Sequence, residues 1–172
     1  DWVAGETISL GIGQGYNNFT MLQVAHALAT VVNGGNSYRP HVGMATQDMA
    51  TGQRTPLPQP APTHLGYAPE HIAVIKDAMV GVTLEGTGRG SFASAKYISG
   101  GKTGTAQAVT IGQKDHYNAA KLEEHQRDHA LYEAFAPADN PKIAVAVIVE
   151  NAGFGAGSAA PIARRVLDYW LL

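Results

Sequence analysis

The sequence predicts an α/β (α+β) domain in which an antiparallel sheet is flanked by helices. Two kinds of apolar pattern predict it. Helical spacing joins Met21, Val24, Ala25, Leu28 and Val32, recurs in Ile72, Ile75, Met79 and Val82, and returns in Ile162, Val166, Trp170 and Leu171. Strand-length runs at 97–111, 131–136 and 143–150 follow one another late in the chain, and neighbours of that kind form antiparallel hairpins on which helices pack. At 172 residues the chain is one domain or part of one.

From the N-terminus, 8–12 reads as a short apolar strand that enters Gly11, Gly13 and Gly15. That glycine spacing does not fit a dinucleotide fingerprint, and a tight turn feeding a helix is the better reading. Thr20 with Gln23 forms a capping box, and Asn33-Gly34-Gly35 stops the helix between them. Over 45–68 periodicity disappears. Prolines at 56, 58, 60 and 62 mark an extended surface connector. Pro69 suits the first turn of the next helix, Gly86 ends it, and 86–90 reads as a flexible loop in which Arg89 is either solvated or turned to a substrate.

A charged excursion after Ile111 reads as loop with some helix. Its His125 and His129 stand at i, i+4, but Gln126 replaces the glutamate of a zinc protease and no third ligand is evident; no metal or other cofactor is expected. Asp139-Asn140 marks a turn, and the run Ile143–Val149, apolar on both faces, reads as a strand covered on both sides. Pro161 is expected to open the last helix, with Arg164, Arg165 and Asp168 outward.

Composition excludes several classes. Net charge is −2 with no basic cluster, so nucleic acid is not an expected partner. Cysteine is absent, which removes disulfides and thiol chemistry. The longest apolar run falls far short of the roughly 20 residues that span a bilayer.

The chemistry concentrates in Ser99-Gly100-Gly101-Lys102-Thr103-Gly104-Thr105-Ala106-Gln107. Glycines inside a strand mark a place where another backbone or a ligand comes close. One ammonium and two hydroxyls on such a strand suit an extended substrate that ends in a carboxylate. The stretch is not a phosphate loop, because Lys96 stands where that motif needs glycine. Nor is Ser99 to Lys102 a working S-x-x-K pair, since Gly100-Gly101 opposes the required helical turn.

Lys102-Thr103-Gly104-Thr105 resembles the third motif of serine penicillin-binding proteins and β-lactamases. With Gly11-Ile12-Gly13-Gln14-Gly15-Tyr16, Asn33-Gly34-Gly35, Tyr117-Asn118, Arg127-Asp128-His129, Ala134-Phe135-Ala136-Pro137 and Val149-Glu150-Asn151, the whole chain resembles the C-terminal half of a class B penicillin-binding protein of the penicillin-binding protein 2 type. The resemblance implies a serine penicillin-binding protein fold, with residues 1–172 as the C-terminal portion of a transpeptidase domain. It implies D,D-transpeptidation of peptidoglycan stem peptides by serine acyl transfer. The expected partners are those peptides, the lipid-linked precursor glycan, β-lactam antibiotics and cell-elongation membrane proteins. The expected location is the periplasmic face of the inner membrane, with the N-terminal anchor outside this chain.

Carried over by motif, Lys102 supplies charge for the substrate carboxylate, and Thr103 and Thr105 donate hydroxyl bonds to it. Gly101 and Gly104 allow close approach, and the Thr105 N–H forms one arm of an oxyanion hole. The chain holds no S-x-N turn, and Tyr16-Asn17-Asn18 matches the Y-x-N variant only in letters, so the nucleophile is not expected here. Two other readings stay open: a β-lactam sensor or class D-type β-lactamase, and a non-catalytic peptide-binding module.

Overall fold

The computed structural model describes residues 2–13, 15–108, 118 and 122–172. The expected continuation of the central strand through Val109 and Ile111, the Tyr117 of the sequence motif and most of the charged excursion lie outside the described residues. Helix α1 spans Ala4–Gly11 and α2 Met21–Val32. Short strands follow: β1 Asn36–Ser37, β2 Ala45–Gln47, β3 Arg54–Pro56 and β4 Thr63–His64. Then come α3 Pro69–Leu84, α4 Arg89–Phe92, β5 Gly100–Ala106, β6 His129–Ala136, β7 Ile143–Val149 and α5 Gly155–Leu171.

The main sheet is antiparallel in the order β5-β6-β7, with α5 on one face and α2 and α3 on the other. Side chains alternate across β6 as a strand requires. Ala130, Tyr132, Ala134 and Ala136 face α5, where Ala159, Ala160, Ala163 and Leu167 meet them. Phe135 turns the other way, onto Leu28 and Val32 of α2 and Met79 of α3. Strand β7 has the predicted bounds and packs on both faces, although Ile148 is exposed and its other residues are only partly buried.

The capping box of α2 forms as read: the Gln23 N–H donates to Thr20 Oγ1 at 3.2 Å and the Thr20 N–H to Gln23 Oε1 at 2.8 Å. Other elements differ from the sequence reading. Residues 8–12 belong mostly to helix α1, not to a strand. The connector is exposed, but it carries a β2–β3 hairpin closed by Asp48, whose carboxylate accepts the N–H groups of Ala50 and Thr51 at 2.9 and 2.7 Å. Those bonds, the one from Thr51 foremost, hold its pKa below the ordinary value. The loop at 86–90 passes into the short helix α4, and Ile75 is exposed where burial was expected.

The largest difference is in α5, which begins six residues before Pro161 and buries a different face. Gly155, Ala159, Ala163 and Leu167, spaced by four, press on the sheet, while Ile162, Val166 and Trp170 are exposed. Small side chains let the helix axis approach the strands, and that closeness outweighs the area a larger residue would bury. Arg164, expected outward, is largely buried. It donates to Asp168 Oδ1 at 2.7 Å and to the Ser91 and Ser94 carbonyls at 3.0 and 3.2 Å, and it lies over the rings of Phe92 and Tyr97. The guanidinium thereby ties α5 to the segment that leads into β5, and its hydrogen bond lowers the pKa of Asp168.

Tyr132, 1% exposed, stacks on Phe92 with ring centroids 5.8 Å apart, and its hydroxyl has no hydrogen-bond partner among the described residues. Burial drives its pKa upward. An unsatisfied buried hydroxyl costs about 1–3 kcal/mol. Tyr132→Phe is therefore expected to raise stability by about 1 kcal/mol, read as a higher unfolding midpoint. A lower midpoint would show that the hydroxyl has a partner.

Candidate functional site: the open edge of β5

Among the described residues strand β5 pairs only with β6, and its other edge is open. The stretch singled out by sequence is thus an edge strand. Ser99 to Lys102 runs into extended backbone, not a helical turn, and Ser99 is buried while Lys102 is exposed. That disposes of the apparent S-x-x-K pair.

Opposite the strand stands the turn that leaves α1. Between them lies a cleft of about 930 Å³, lined on one side by Lys102, Thr103, Gly104 and Thr105 and on the other by Gly13, Gly15 and Asn17. The structure therefore brings together four of the five residues the sequence selected. Lys102 donates to its neighbour's carbonyl, Thr103 O, at 2.7 Å, which holds the ammonium beside the strand. Thr103 Oγ1 lies 3.0 Å from Thr87 Oγ1.

Gly101 is the exception. It is buried, and a Cβ there would run into the Tyr132 hydroxyl. Gly100 in the same way makes room for the Phe135 ring. These two glycines answer to aromatic side chains of β6, and Gly101 does not line the cleft. Gly104 is packed differently: the first residue of α5, Gly155, sits against its backbone.

Three residues near the strand were not selected from sequence. Thr87 precedes the arginine chosen for its charge, and Arg89 itself is exposed. Asn17, whose side-chain amide donates to Leu10 O at 3.1 Å, was set aside because its motif matched only in letters. Glu133 stands directly opposite Lys102 in the β5–β6 register, a relation that no local pattern encodes. Burial raises the Glu133 pKa, and the charge of Lys102 draws it partly back.

The two spaced histidines separate. His129 Nδ1 accepts the Asn151 N–H at 3.0 Å, and His125 sits in an exposed turn with Glu123 3.5 Å away. Among the described residues no group of three metal-ligating side chains occurs, and no helix is long and apolar enough to cross a membrane.

Comparison with known proteins agrees with this arrangement. Residues 1–168 match the family model described as the penicillin binding protein transpeptidase domain. The peptidoglycan D,D-transpeptidase MrdA of Haemophilus influenzae is 44% identical over 99% of this chain, and that of Acinetobacter baumannii 45% over 99%. The chain spans only about a quarter of these relatives, 26% and 25% of their lengths. Among solved structures, Pseudomonas aeruginosa PBP2 superposes with a TM-score of 0.77 at 36% identity, covering 99% of this chain and 34% of that one. An imipenem acyl-enzyme of Mycobacterium tuberculosis penicillin-binding protein A gives 0.75 at 31% identity, covering 95% and 33%. With the family's third motif on an open sheet edge and a match along nearly its entire length, the chain belongs to the penicillin-binding protein transpeptidase family.

Proposed function

We propose that the chain is the C-terminal portion of the transpeptidase domain of a peptidoglycan D,D-transpeptidase, and that it supplies the Lys102 strand of the active site but not the nucleophile. A single observation carries the reading: a cation and two hydroxyl-bearing residues line an open cleft on an unpaired strand edge. An extended peptide can add to such an edge, and its terminal carboxylate then meets Lys102, Thr103 and Thr105.

The reaction is acyl transfer. A serine outside this chain attacks the amide between two D-alanines; the C–N bond breaks and the terminal D-alanine leaves with the proton. The acyl group then passes to an amine of a neighbouring stem peptide. Lys102 offers its charge to the carboxylate and shapes proton movement. The Thr105 N–H is one donor to the oxygen that becomes negative during attack. Gly104 leaves room for the substrate backbone. β-Lactams take the donor's place and leave the serine acylated. The partners are stem peptides on the lipid-linked glycan precursor and the membrane proteins of cell elongation, at the periplasmic face of the inner membrane.

Fluorescent penicillin tests the reading. The full-length protein that carries this chain is expected to give a labelled band on a denaturing gel, and the 172 residues alone none. An unlabelled full-length protein rejects the transpeptidase function, and a labelled isolated chain rejects the missing nucleophile.

A further inference from the structure

Among the described residues the Glu133 carboxylate has no hydrogen bond and no short ion pair, although it lies opposite the cation that the proposed reaction uses. The β5–β6 register sets Glu133 opposite Lys102. Paired residues share a sheet face, so both side chains rise on the α2 side. A second cavity of about 190 Å³ opens there, lined by Lys102 and Glu133 and otherwise mainly by apolar residues, among them Met21, Val24, Leu131 and Ala146. Among the described residues no other charged group lines it: β7 contributes Ala146 and Val147, and the one titratable residue of α2, His26, is engaged by Ser37 at 3.3 Å.

Lys102 does not need Glu133 to hold its position, since its ammonium already donates to Thr103 O. What Glu133 adds is a negative charge behind the lysine, in a partly desolvated pocket where charges act further than in water. An incoming carboxylate meets the summed field of both groups. The coupling is reciprocal: if Lys102 acts on Glu133, Glu133 acts on Lys102 and on whatever Lys102 attracts.

We propose that Glu133 is a specificity-determining residue that tempers the preference of the Lys102 strand for anionic ligands. The inference rests on the transpeptidase reading and concerns the same site. It predicts a protein that discriminates less between a free carboxylate and its neutral ester than the lysine alone would.

The test uses the full-length protein, with fluorescent penicillin as competitor, and compares acylation by penicillin G with acylation by its methyl ester. Glu133→Gln and Glu133→Ala are expected to raise the acid-to-ester ratio of acylation efficiencies by about fivefold, chiefly through tighter initial binding of the acid. Glu133→Asp keeps the charge and should stay within about twofold of wild type. A role in packing alone would move acid and ester together. Equal changes for both ligands, or no change in the ratio, in a wild-type protein that labels normally, overturn the role of Glu133 and leave the transpeptidase reading intact. A wild-type protein that no penicillin labels overturns both.

Discussion

Gly155→Ala is expected to lower acylation of the intact enzyme by about 100-fold or more and to lower its unfolding midpoint as well. Gly155 is the first residue of α5, and a Cβ there would run into the Leu131 carbonyl oxygen. It would also lie 2.6 Å from the Gly104 carbonyl oxygen and 3.1 Å from the Gly104 nitrogen. All three obstacles are backbone atoms of paired strands, so no side chain can swing aside. Overpacking of this kind costs about 1–3 kcal/mol and occasionally more. Either the start of α5 lifts from the sheet or β5 moves with it, and the second outcome displaces the strand on which the substrate is aligned. A misplacement of about 1 Å suffices for a hundredfold loss of rate. Fluorescent-penicillin kinetics together with thermal unfolding check this. Wild-type labelling with an unchanged midpoint would mean that α5 does not rest on Gly104.

Lys102→Ala should separate chemistry from stability. A hydrogen bond to a charged group contributes about 1.5–3 kcal/mol, so acylation is expected to fall roughly 10- to 100-fold. Among the described residues the exposed lysine bonds only to its neighbour's carbonyl, and stability should change by no more than about 0.5 kcal/mol. Unchanged acylation kinetics would remove lysine from the proposed mechanism. A large fall in the unfolding midpoint would instead give Lys102 a structural part. The two glycine and lysine variants thus differ in signature: one loses rate and stability together, the other rate alone.

Where local chemistry decides, the sequence was legible. Thr20 and Gln23 cap α2 because both partners lie within one turn of each other, and Asn33-Gly34-Gly35 ends it by local backbone preference. The unbroken apolar run of β7 signalled a strand covered on both faces. The Lys102 motif was readable because its glycines, cation and hydroxyls are contiguous in the chain.

The buried face of α5 is not legible from side-chain size, because a helix lying close on a sheet favours small residues over the largest apolar ones. Residues 8–12 read as strand but fold mostly as helix, since a short apolar run does not distinguish the two. That the Tyr132 hydroxyl reaches Gly101 follows from strand register and is not visible in the local sequence.

The sequence by itself determined the strand that carries Lys102, the helix limits set by caps and glycines, and the family to which the chain belongs. Each depends on residues close together in the chain or on the order of short motifs. Only the tertiary structure decided which face of α5 is buried, which glycines make room for neighbours, and that Glu133 stands behind Lys102. Those relations join residues tens of positions apart, and they are set by strand register and by how closely two layers pack.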